Sequence, residues 1–99
     1  MKFQVNDKTY FVKWDYDGSH THCYIYDNTS SYHEPLIEAN AFLAQGDRFN
    51  KNTGRKISLD RALKQLFPDT LTIHGELFPK EARAIAWKEY FNESPKRLK

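Results

Sequence analysis

Cysteine is nearly absent from this chain. The single one, Cys23, has no partner for an intramolecular disulfide and cannot supply a cysteine-based zinc site. Long apolar runs are absent too. No stretch approaches the ~20 residues needed to span a bilayer, and the opening M-K-F-Q-V-N-D carries no apolar signal segment. The expectation is a cytosolic chain with no membrane partner. Catalytic signatures are equally scarce. No serine sits in a G-x-S-x-G context, no phosphate loop or dinucleotide fingerprint is present, and Asp60, Asp69 and Glu76 are scattered single carboxylates. These absences point away from an enzyme and imply no cofactor.

What the chain does have is enough apolar material for one core. Its 99 residues fit a single domain, 1–99, and 39% are hydrophobic, 15% aromatic. Six Tyr and seven Phe supply large buried areas per residue. Charge is unevenly spread. Residues 1–49 hold four Lys/Arg against seven Asp/Glu, a balance of −3, whereas residues 50–99 hold eleven against six, a balance of +5. A basic half of this kind suits an acidic partner, although a solvated lysine-rich helical surface has the same composition.

The N-terminal half reads as strands. Residues 9–16, T-Y-F-V-K-W-D-Y, and 20–27, H-T-H-C-Y-I-Y-D, are β-branched and aromatic, and Asp17-Gly18 between them signals a two-residue hairpin turn. That turn predicts Trp14 opposite Thr21, Val12 opposite Cys23, Phe11 opposite Tyr24 and Asp15 opposite His20. One face, with Tyr10, Val12, Trp14, Thr21, Cys23 and Ile25, is the core side. Residues 2–5 add a short strand, 28–35 form a polar loop, and the alternation around Ile37, Ala39, Ala41 and Leu43 favours a further strand.

The C-terminal half reads as two helices. Leu59, Ala62, Leu63, Leu66 and Phe67 share one helical face and Pro68 ends the run. Its N-cap is either Thr53 or Ser58. The second helix starts at Pro79 and reaches about Asn92. The expected fold is therefore α+β: a small antiparallel sheet of three or four strands packed against two C-terminal helices.

Candidate binding residues fall in this second half. In T-G-R-K a glycine turn delivers Arg55 and Lys56, with Lys51 one turn before, to a helix N-terminus, where free N–H groups and partial positive charge receive anions. Arg55 suits an internal pair with an acidic side chain such as Asp47 equally well. On the second helix Ala82, Ile85, Ala86 and Tyr90 make one stripe. Ala84, Trp87 and Phe91, with Lys80 beside them, make another on nearly the opposite side. A helix in so short a chain seldom buries both faces, and Trp87 with Phe91 has the composition of an interface anchor. His20 and His22 share a strand face, but His33, His74, Asp27 and Glu34 stand at no spacing that completes a metal site, and none is assigned. Phe11, Tyr24 and Tyr26 would be stacking surfaces in a nucleic-acid reading.

Three motifs then combine: T-x-C-x-I-x-D (Thr21 to Asp27), D-x-F-x-x-x-x-G-R-K-x-x-x-x-R-A-L (Asp47 to Leu63) and F-P-K-E-A-R-x-x-x-W-x-x-Y-F (Phe78 to Phe91). In this order they resemble a family of small bacteriophage-encoded proteins. In that family the position of Ser58 is usually apolar or alanine, which implies a helix starting near Gly54. The resemblance implies a phage origin and action in the host cytoplasm. By analogy with anti-CRISPR proteins, it suggests a non-enzymatic inhibitor bound stoichiometrically to a host defence protein such as a CRISPR-Cas component. The alternative is a nucleic-acid-binding phage accessory protein that uses the basic half.

Overall fold

In the computed structural model, which describes residues 1–18, 20–30, 34–42, 51–69 and 78–93, four strands form one antiparallel sheet. They are β1 (Lys2–Val5), β2 (Lys8–Asp17), β3 (His20–Tyr26) and β4 (Ile37–Phe42), in the order β1-β2-β3-β4. Two helices follow, α1 (Lys51–Leu66) and α2 (Pro79–Glu93). The α+β arrangement expected from the sequence is the one observed. The strand proposed around Ile37 is β4, although Leu43 and Ala44 lie outside the described residues.

The alternation of the strands decides which side the helices cover. Phe3, Val5, Tyr10, Val12, Cys23, Ile25, Ala39 and Ala41 all point to one face and are buried. Helix α1 packs there over β3 and β4, and α2 packs over β1. Rings fill the space between the layers: Phe3 stacks on Tyr10 at 5.1 Å, and Tyr10 meets Phe67 edge-on at 5.9 Å.

The hairpin register differs from the expected one. Asp17 pairs with His20, Trp14 with Cys23, Val12 with Ile25, Phe11 with Tyr26, and Asp15 with His22. Gly18, at φ 59°, is thus the first residue of the connection, whereas an Asp17-Gly18 loop would place an aspartate in that left-handed region. The slip is two residues, so every side chain keeps its face. The β1–β2 turn uses the same device, with Asn6 at φ 55°.

Helix α1 begins at Lys51, ahead of both proposed caps. Ser58 is fully buried inside it, and its hydroxyl donates to the Gly54 carbonyl at 2.8 Å. Gly54 lies in the helix's first turn and faces the sheet. A Cβ added there would sit 2.2 Å from Thr21 Oγ1 and 3.0 Å from Thr21 Cβ. The glycine is therefore a contact point between helix and strand. Gly54, Ser58 and Ala62, four residues apart, form a buried small-residue stripe that lets α1 approach β3 and β4 closely.

Arg83 ties the two helices together. Its guanidinium donates to the Phe67 carbonyl just past α1 and pairs with Asp69 at 2.7 Å. That hydrogen bond and charge hold the Asp69 carboxyl below its ordinary pKa.

Candidate functional site

The position of Gly54 changes what Arg55 and Lys56 can do. The unpaired N–H groups of an α-helix belong to its first turn, and Arg55 is the fifth residue of α1. The pair is not a helix-N-terminal anion cradle, because the helix starts too early. Lys51 opens α1; its side chain lies outside the described residues, as does Asp47, the suggested partner of Arg55.

Successive helical residues rotate by 100°, so Gly54, Arg55 and Lys56 face three directions. Gly54 faces Thr21 on β3. The Lys56 ammonium lies over the Phe91 ring of α2, 5.7 Å from its centroid, within cation–π range. Arg55 falls between them on the turn of the helix. It is partly buried, and its Nε has no hydrogen-bond partner among the described residues.

The neighbouring surface of α2 is aromatic. Pro79, Ala82, Ala86 and Tyr90 form the buried face of the helix. Tyr90 meets Trp14 of β2 edge-on at 6.0 Å and Trp87 at 5.6 Å. Trp87 is half-buried and stacks on Phe91 at 5.8 Å with 26° between the planes. Phe91 is 49% exposed. The two stripes read from the sequence thus separate into a buried one, with Ile85 partly covered, and one that grades from Trp87 at the core margin to Phe91 in solvent.

Lys56, Trp87 and Phe91 are therefore brought together, with Arg55 beside them. Lys80 is exposed near the other end of α2, eleven residues or about 16 Å along the axis from Phe91, and its charge acts on Asp69. The sequence puts Trp14 on the core face of its strand and Tyr90 on one stripe of the second helix. Trp14 Nε1 and Tyr90 Oη are both buried and lack partners among the described residues. The signal available was their chemistry: indole N–H and phenol O–H groups need partners when buried.

The open face of the sheet is a second aromatic surface. His20, His22 and Tyr24 line up along β3, with ring separations of 6.1 and 6.3 Å and interplanar angles of 6° and 21°. Phe42, 60% exposed, lies 4.5 Å from His20. His22 Nδ1 is hydrogen-bonded to Asn40 Oδ1. Asp15, Asp17 and Glu38 share this face with Lys13. Among the described residues, no group of three or more His, Cys, Asp or Glu is placed to hold a metal ion, and no helix is long and apolar enough to cross a membrane.

Two other groups are structural. Cys23 is fully buried, and burial pushes its thiol up to about 12, so it is inert packing as the sequence indicated. Asp27 anchors the loop after β3. Its Oδ1 accepts from the Thr29 hydroxyl and N–H and from the Ser30 hydroxyl, and Lys8 lies 3.5 Å from Oδ2. Led by the Thr29 bonds, these contacts hold its carboxyl down at about 2 against the opposing effect of burial.

No protein-family model, curated protein or solved structure matches the chain.

Proposed function

We propose that this protein is a non-enzymatic binding module that attaches stoichiometrically to another protein through the patch formed by Phe91, Trp87 and Lys56. The observation that carries the reading is Phe91. A large ring left half in solvent, stacked on a second aromatic and capped by an ammonium, has the make-up of an interface anchor. The surrounding half of the chain is the basic one, so the partner surface is acidic at its rim. The resemblance to phage proteins extends the proposal to a component of host defence, such as a CRISPR-Cas effector, met in the host cytoplasm. Its test is isolation of a complex of fixed stoichiometry from nuclease-treated bacterial lysate, read by native mass spectrometry. Phe91→Ser and Lys56→Glu should each abolish the complex. A complex that survives both substitutions refutes the assigned surface.

The second reading is single-strand nucleic-acid binding on the open sheet face. The parallel column of His20, His22 and Tyr24 favours it, because bases stack on such rings. Asp15, Asp17 and Glu38 on the same face oppose a phosphate backbone. Anisotropy of a labelled single-stranded oligonucleotide decides between them. Binding that falls steeply with salt and is lost on His22→Ala or Tyr24→Ala, on the stacked column itself, would favour nucleic acid.

A further inference from the structure

The two edges of the sheet differ in what attends them. At β4, helix α1 supplies donors to the strand: Arg61 donates to the Asn40 carbonyl at 2.7 Å and Gln65 to the Glu38 carbonyl at 3.5 Å. At β1 no described residue does so. Met1 and Val12 exchange both backbone hydrogen bonds, at 3.2 and 2.8 Å. Bonded and non-bonded pairs alternate along an antiparallel ladder. Phe3 with Tyr10 and Val5 with Lys8 are therefore bonded too, and the N–H and C=O groups of Lys2 and Gln4 point away from β2. None of those groups has a partner among the described residues. A groove of about 260 Å³ lies there, lined by Lys2, Phe3 and Gln4 of β1, Thr9 of β2 and Glu89 of α2. Consecutive strand side chains point to opposite faces, so a hollow that touches three in a row follows the strand's edge.

We infer that this edge accepts an extended segment of a partner protein as a fifth, antiparallel strand with a basic residue at its centre. Such a strand satisfies the two donors and two acceptors of Lys2 and Gln4 together. Antiparallel addition continues the pattern of the sheet. The partner residue opposite Phe3 points to the helix side, where Glu89 lines the groove. A Lys or Arg is matched there, its stem against Phe3 and its charge at Glu89. Residues opposite Lys2 and Gln4 point to the open face. An acidic one matches Lys2, and a β-branched one packs beside Gln4 and Thr9. Neither Lys2 nor Glu89 has an ion-pair partner among the described residues. This surface is distinct from the Phe91 patch, because Glu89 and Phe91 lie about 200° apart around α2.

The Gln4 amide reports on the edge directly, since its N–H is one of the groups an added strand bonds. Its ¹H–¹⁵N resonance and its hydrogen exchange are followed while the peptide acetyl-V-T-R-E-V-amide is added, with acetyl-V-T-E-E-V-amide as the charge control. The first peptide should shift the resonance saturably, with a midpoint on the order of 1 mM, and slow its exchange. The control should bind several-fold more weakly. Glu89→Lys should reverse that order. Gln4→Pro removes the N–H at an edge position that tolerates proline and should abolish binding, read at the Phe3 and Thr9 amides while the remaining peaks show an intact fold. No saturable shift with either peptide overturns the site. Equal binding of the two peptides, or an order that Glu89→Lys leaves unchanged, overturns the basic centre. Protection of Gln4 that grows with protein concentration in the absence of peptide overturns the partner assignment in favour of a second copy of this chain.

Discussion

Replacing Gly54 by alanine should destabilise this protein, although the same change in most helices stabilises. In an exposed helical position Gly→Ala gains about 1 kcal/mol. Here the new methyl meets Thr21. Its 2.2 Å approach to Oγ1 is about 1.2 Å short of the 3.4 Å at which ordinary contact begins. Rotating the threonine does not relieve the clash, because the Cβ–Cβ distance of 3.0 Å is independent of that rotation. Thr21 is buried and held by pairing to both β2 and β4, so α1 has to lift away from the sheet. Overpacking of this kind costs about 1–3 kcal/mol, and a backbone-limited clash belongs at or above the upper end. After subtracting the helical gain, a net loss of about 2 kcal/mol remains. In urea unfolding followed by circular dichroism the midpoint should fall by roughly 1 M, and Tm by roughly 10 °C. In a Thr21→Ala background the cost of Gly54→Ala should drop by at least about 1 kcal/mol, since the closest contact is gone. A neutral or stabilising Gly54→Ala would refute the close helix–strand contact and restore Gly54 as a turn residue outside the helix.

Ser58→Ala should change stability by less than about 0.5 kcal/mol, because the Ser58 hydroxyl bonds a carbonyl inside the helix and alanine regains propensity. An N-cap serine would cost about 1 kcal/mol, and unfolding curves separate the two. The Asp27 carboxyl, held near 2 against an unfolded value near 3.9, contributes stability that is present above about pH 4 and lost as pH falls toward 2. Asp27→Asn should remove about 1–2 kcal/mol at pH 7, allowing for solvent screening, and should flatten the acid limb of a stability–pH profile. Cys23 should resist a thiol reagent at pH 8 in native buffer and react fully in denaturant; rapid native labelling would place it outside the core.

The sheet was legible from period and composition because a two-residue register error leaves both faces intact. Tyr10, Val12, Cys23 and Ile25 are core under either pairing. The start of α1 was less legible. Glycine at position 54 reads locally as a turn, since its helical cost is local while its benefit is a contact with Thr21, 33 residues earlier. The informative pattern was the spacing Gly54, Ser58, Ala62, which marks one close-packed edge of a helix. The aromatic stripe of α2 was visible as a pattern, but its gradient from Trp87 to Phe91 depends on where the sheet ends beneath it. The buried polar atoms of Trp14 and Tyr90 come from elements remote in sequence, and only the fold brings the two rings edge-on at 6.0 Å.

The exposed Phe91 ring is the centre of the proposed docking surface. Native mass spectrometry of the protein recovered from nuclease-treated lysate, wild type beside Phe91→Ser, tests it most directly. A stoichiometric protein complex is expected with the wild type and none with Phe91→Ser, while the unfolding free energies of the two agree within about 0.5 kcal/mol. An undiminished complex with Phe91→Ser, or no protein complex with the wild type, would contradict it.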